Sequence, residues 1–266
     1  MTQISLCHTA SADCPKYDKL RDDKARQIAP DLAYRQIAIV NVVFFGRPGQ
    51  ATNWTLMDTG MPGGLRPPLR RAGGRFDHVG PLETLAKDWD VPVYAHMLEH
   101  RYLNGTESYP PPDPTVGGGL MSLLSPLYPR KPVDVGERLR PLRDDGSVPG
   151  MPGWRWLHTP GHTPGHVSLW RETDRLLVAG DAFITTRQES AYAAITQAPE
   201  MHGPPMYFTP DWVSARASVQ SLAALSPDVV ITGHGQAMQG QEMRAALHEL
   251  AERFDEIAVP KTGRYA

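Results

Sequence analysis

Apolar and polar positions come in blocks along the 266-residue chain. Residues 1–36 are polar and mixed in charge, with Lys16, Lys19, Arg21, Lys24 and Arg26 set among acids, and read as a surface extension of part-helical character. At residue 37 the pattern changes. Residues 37–45 are apolar, rich in β-branched side chains and bounded by Gly46-Arg47-Pro48-Gly49, which predicts a strand closed by a turn. Residues 54–57 predict a second strand that makes a hairpin with the first.

Residues 81–90 carry helical spacing, with Leu82, Leu85, Ala86 and Trp89 on one face, and residues 91–95 read as a strand. Residues 104–119 (NGTESYPPPDPTVGGG) hold too many Pro and Gly for regular structure and predict a long loop. Three strands follow at 154–157, 167–170 and 176–179, then a helix at 211–225 and a buried strand at 229–232. A last helix spans 239–257, with Met243, Leu247, Leu250 and Phe254 at three- and four-residue steps. Strand runs with helices between them predict an α/β (or α+β) fold in which helical layers cover sheet.

Composition narrows the function classes. With 27 basic and 29 acidic residues the net charge is −2, so the basic stripe of a nucleic-acid binder is missing. Apolar residues make up 41 % of the chain, enough for a sizeable core and too many for a disordered one. No apolar run nears the roughly 18 residues of a membrane span. The N-terminus lacks a basic start followed by an apolar segment, so no membrane partner and a cytoplasmic location are expected. Cys7 and Cys14 fit neither a zinc knuckle nor a redox pair and read as two reduced thiols.

Ten histidines carry the candidate chemistry. Several lie just after a predicted strand, in a turn beside Gly or Asp: Asp77-His78-Val79-Gly80, the run from His158 through His162 to His166, and Thr232-Gly233-His234-Gly235, with Gly180-Asp181-Ala182 alongside. Strand ends bring such side chains to one rim of a sheet, and imidazole with carboxylate suits zinc, iron or manganese. Each piece alone is more often a hydrogen-bonded turn; their joint occurrence in order is far more specific.

With Met57-Asp58-Thr59-Gly60 and Phe76-Asp77-His78-Val79-Gly80 added, the order of motifs from 57 to 235 resembles the metallo-β-lactamase superfamily, and within it the glyoxalase II-like hydrolases. The resemblance implies a four-layer αββα sandwich over residues 37–266, with a metal site where two β-sheets meet. It implies that Asp77, His78, His162, Asp181 and His234 are metal ligands and that Asp58 supports the site from behind. His166 is expected to hydrogen-bond the site.

One departure is large. The family motif His-x-His-x-Asp-His would place histidines at 73 and 75, where this chain has Gly73 and Arg75, and no His-x-His occurs anywhere. Residues 61–76 hold three prolines, four glycines and four arginines and no strand-like run, as if one βα unit were missing. A guanidinium has no lone pair to offer a metal. The expectation is therefore one tightly held ion per chain, zinc or else iron or manganese, on Asp77, His78, Asp181 and His234.

Such a site implies a metal-dependent hydrolase that attacks an ester, thioester or lactone carbonyl with metal-bound hydroxide, Asp77 or Asp181 moving the proton and Arg75 polarising the carbonyl. The 104–119 loop and residues 188–210, with Tyr192, Met201, Tyr207 and Phe208, are candidate walls for a small-molecule substrate. A homodimer is compatible with the sequence. The alternative is a degenerate, catalytically inactive member that acts as a binding protein.

Overall fold

The computed structural model describes residues 25–47, 54–57, 82–127 and 133–266. Four strands, β1 (Ala25–Ala29), β2 (Leu32–Ile37), β3 (Val40–Phe45) and β4 (Thr55–Met57), form an antiparallel sheet in chain order. The segment 25–36 is therefore not a surface extension. Its Ile28, Leu32 and Tyr34 are buried in the core. Period-two alternation in so short and charged a stretch hid two strands. The apolar run 37–45 is also not one strand, because the chain turns at Ala38, whose φ of 55° separates β2 from β3.

A helix, α1 (Leu82–Trp89), leads to β5 (Val93–Ala95) and a short helix, α2 (His100–Leu103). Leu85 and Ala86 are buried, but Trp89, expected on the same face, is 44 % exposed. Residues 104–119 form the predicted loop, and α3 (Leu120–Leu124) follows it. A two-stranded parallel ribbon joins β5 to β6 (Leu139–Pro141) and packs with Leu82, Leu103, Val133 and Val135 in a small cluster of its own.

The second sheet is built from β7 (Trp154–His158), β8 (Val167–Arg171), β9 (Leu176–Gly180), β10 (Val229–Thr232) and β11 (Met238–Gln239), in the order β11-β10-β9-β8-β7. The short helix α4 (Ala191–Thr196) and α5 (Trp212–Ala224) lie between β9 and β10; α6 (Gly240–Glu252) and α7 (Phe254–Ile257) close the chain. The predicted helix 239–257 is thus broken at Arg253.

This sheet is buried on both faces, which is why β9 and β10 read as unbroken apolar runs. Leu176, Val178, Val229 and Ile231 meet Leu32, Tyr34, Val43 and Phe45 of the first sheet, with Trp154 and Met151 completing that core. Leu177, Ala179 and Val230 point the other way, onto Val219 and Leu222 of α5 and Met243, Leu247 and Leu250 of α6. The described residues thus make an α/β sandwich of two facing sheets with helices on the outer face of the second. At one end Arg171 of β8 reaches Asp31 with two bonds of 2.8 and 2.9 Å and lies over the Trp154 ring, tying the sheets together. The candidate residues His162, Asp181 and His234 lie at the other end.

Candidate metal centre

Strand direction puts the predicted residues on one rim. β9 and β10 are parallel, and β7 runs the same way because two antiparallel pairings, β7–β8 and β8–β9, separate it from β9. The C-terminal ends of β7, β9 and β10 therefore share an edge. His162 follows β7, Asp181 follows β9 and His234 follows β10.

There the side chains converge on one carboxylate. Asp181 Oδ2 lies 3.3 Å from His234 Nε2 and 3.6 Å from His162 Nε2, with Asp181 and His234 almost wholly buried. The far side of each ring is set by a neighbour. His234 Nδ1 lies 2.7 Å from the Ile39 carbonyl, which can only accept, so Nδ1 carries the proton. His162 Nδ1 faces Thr209 Oγ1 at 3.4 Å. The single Thr209 hydroxyl proton is donated to the Pro205 carbonyl at 2.8 Å, so Thr209 accepts from His162. In their neutral forms both histidines thus aim an Nε2 lone pair at Asp181.

A lone pair and a carboxylate oxygen 3.3 Å apart cannot bond to each other. A cation between them, a proton on the ring or a metal ion, makes the contact favourable. Neutral imidazoles with Nδ1–H tied down and a buried carboxylate are the donor set of a zinc-type ion, and the outer hydrogen bonds are the kind that orient such ligands. Among the described residues no group of three or more His, Cys, Asp or Glu forms a complete metal-holding set by itself. The expected Asp58, Arg75, Asp77 and His78, and Gly73 with the altered stretch 61–76, lie outside the described residues, as do Cys7 and Cys14.

His166 is placed differently. Its Nε2 accepts the Asp181 backbone N–H at 3.0 Å, so its proton is on Nδ1 and goes to Thr159. Thr159 Oγ1 in turn lies 2.9 Å from Ser168 Oγ, whose own proton goes to the Ala179 carbonyl. Both ring nitrogens are spent on the fold, and this chain of hydrogen bonds holds the Asp181 backbone. The His234 turn is held as firmly. The Asn41 amide donates to the Thr232 and Gly235 carbonyls at 2.9 and 2.6 Å, and the Asn41 backbone N–H donates to Gly233.

Of the expected substrate walls, Tyr192 is 76 % exposed on α4 and Tyr207 is 2 % exposed. Phe208 does meet His162, edge-on with centroids 6.5 Å apart. Sequence reasoning passed over Thr209, Thr159, Ser168, the Ile39 carbonyl and Asn41. Only Asn41 left a signal, as the one polar residue inside the apolar run 37–45. The rest are threonine, serine and backbone groups whose role exists only through contacts distant in sequence.

Thr209→Val keeps the shape of this buried side chain and removes its hydroxyl. Zinc affinity, measured by competition with a chromophoric chelator, is expected to fall about tenfold, as for other outer partners of metal-bound histidine.

A two-sheet sandwich with histidine and aspartate turns gathered at one edge is the arrangement of metal-centred hydrolase folds. The family model described as metallo-beta-lactamase superfamily matches residues 76–234, and the chain belongs to that superfamily. It is 43 % identical over 237 residues to the probable metallo-hydrolase YflN of Bacillus subtilis (strain 168), covering 83 % of this chain and 90 % of that protein. The probable metallo-hydrolase YybB of the same organism is 27 % identical over 163 residues, 61 % of each chain. An archaeal metallo-beta-lactamase superfamily protein from Sulfolobus tokodaii has a TM-score of 0.52 at 18 % identity, covering 81 % of this chain and 80 % of its own. A beta-lactamase domain protein from Burkholderia ambifaria has the same TM-score and identity, covering 91 % and 79 %. These last two establish the fold. Among the described residues no helix is long and apolar enough to cross a membrane.

Proposed function

We propose that this chain is a metal-dependent hydrolase that cleaves a small-molecule ester, thioester or lactone, of the glyoxalase II-like kind, in the cytoplasm. The observation that carries the reading is the convergence of His162 and His234 Nε2 on Asp181 Oδ2, with both Nδ1 protons tied to the fold. The name of its 43 % identical relative supports the same class.

In this reading Asp181 and His234, with Asp77 and His78, hold one ion, zinc or else iron or manganese, and His162 is a further ligand to it. When bound, the ion supplies Lewis-acid activation of water and of the carbonyl. The protein's own residues do the rest. Ile39 and Thr209 keep the two rings in the ligand tautomer, and His166 holds the Asp181 main chain in place. Asp58 supports the site from behind. The carboxylate of Asp77 or Asp181 takes the proton from the nucleophile and passes it to the leaving oxygen or sulfur. Arg75 polarises the carbonyl. Tyr192 and Tyr207 belong to the substrate walls, residues 25–266 form the catalytic unit, and a homodimer is the proposed assembly.

Elemental analysis of protein purified without chelator tests the reading, followed by a screen of thioesters and lactones. About one ion per chain and turnover abolished by chelator are expected. Two ions would show that another residue completes a first site in place of Gly73 and Arg75. Folded protein that takes up no ion would leave the inactive binding protein as the reading.

A further inference from the structure

The His162–His166 loop is gripped from outside the site by the segment that follows β5. Residues 96–99 follow β5 and run beneath the turn of Gly165. Glu99 is 8 % exposed, and its Oε1 accepts the Gly165 backbone N–H at 2.7 Å. Its Oε2 accepts the Tyr109 hydroxyl at 2.6 Å. Burial, and then the Glu99 charge, push the Tyr109 phenol well above its usual range, so it stays a neutral donor. The Tyr109 ring stacks on Tyr102 with centroids 4.2 Å apart, and Tyr102 is itself buried on α2. Glu99 is therefore held on both oxygens, and its position is set by the packing of α2.

The contact is built for close approach. A Cβ at Gly165 would lie 2.7 Å from Glu99 Cγ and 2.9 Å from the Glu99 backbone nitrogen, so only glycine lets the two segments meet. A second contact lies alongside. The rings of His96 and His158 stack nearly parallel at 4.3 Å, and His158 Nε2 donates to the Pro164 carbonyl at 2.8 Å. The two groups of the Pro164–Gly165 peptide, one carbonyl and one N–H, are thus both bonded. That peptide sits between His162, which faces Asp181, and His166, which holds the Asp181 main chain.

We propose that Glu99 is a positioning residue for the metal centre: through Gly165 it fixes the loop that presents His162 and His166 to Asp181. This rests on the hydrolase reading for its consequence in metal binding and on the contacts alone for its effect on the loop. The carboxylate works as a fixed acceptor, so an isosteric amide with its oxygen on Gly165 does the same work. A charged acceptor on a buried backbone N–H is among the stronger hydrogen bonds, and losing it leaves that N–H without its partner.

The test uses the full chain with Glu99→Ala, Glu99→Gln and Tyr109→Phe, and two readouts. Hydrogen–deuterium exchange resolved at residues 159–168 reports the loop with or without metal, and zinc affinity by chelator competition reports the site. Glu99→Ala is expected to speed exchange at Gly165 at least about tenfold and to weaken zinc about tenfold. Glu99→Gln is expected to stay close to the parent in both. Tyr109→Phe, which removes only one of the two bonds on Glu99, is expected to speed exchange by a smaller factor and keeps the test open if the alanine variant does not fold. Parent-like exchange in both Glu99→Ala and Tyr109→Phe overturns the inference, as does a Glu99→Gln variant as loose as the alanine. If the parent takes up no zinc while Glu99→Ala still loosens the loop, the hydrolase reading falls and the positioning role of Glu99 stands.

Discussion

Asp181→Ala is expected to empty the site of metal and to lower turnover by roughly 10³-fold while the protein stays folded. Asp181 is the one acidic group that both His162 and His234 face among the described residues, at 3.6 and 3.3 Å. Its removal takes away the negative charge that makes a dication stable between two neutral imidazoles. A bound ion contributes several kcal/mol of transition-state stabilisation, and about 4 kcal/mol corresponds to roughly 10³ in rate. The fold has less to lose. The backbone N–H of residue 181 still donates to His166 Nε2. Elemental analysis, kcat and the denaturant midpoint, measured on one preparation, separate the two effects. Unchanged metal content would remove Asp181 from the ligand set.

A large loss of stability is expected from a single methyl group. Gly235 sits at φ +97°, and a Cβ there would lie 2.4 Å from Thr185 Oγ1, 2.5 Å from the Thr185 carbonyl carbon and 2.7 Å from its oxygen. Two of those atoms are backbone. Thr185 is fully buried and bonds with its hydroxyl to the Gln236 carbonyl at 2.7 Å, so neither segment can give way. Gly235→Ala combines left-handed strain with overpacking and is expected to cost about 3 kcal/mol or more. It also moves His234, the preceding residue, so metal binding goes with it. Gly240 is the control. Its φ is +84°, but nothing lies within 4 Å of the added carbon, so Gly240→Ala is expected to cost only about 1 kcal/mol of backbone strain. Urea midpoints of the two variants measure the difference. Equal midpoints would show that the Thr185 contact relaxes freely.

Glu99 and Gly235 mark where sequence reasoning stops. The strands β7 to β10 and helix α5 were legible because burial on both faces of a sheet, or on one stripe of a helix, writes a local pattern into the chain. The strands β1 and β2 were not, because their buried residues are few and lie among polar and charged ones such as Arg26, Gln27 and Arg35. His162, Asp181 and His234 were legible as chemistry, since imidazole and carboxylate after successive strands have few other uses in that order.

What the sequence determined by itself was the class of fold and the histidine and aspartate turns, because each depends on residue type and local spacing; the departure at Gly73 and Arg75 emerged only against the family motif the chain resembles. What only the tertiary structure decided was the tautomer and aim of those side chains. The Ile39 carbonyl, the Thr209 hydroxyl and the Asn41 amide act across gaps of up to 195 residues. A hydrogen bond to a backbone carbonyl asks nothing of the residue type that supplies it, so it leaves no trace in the sequence and exists only once the two sheets have met.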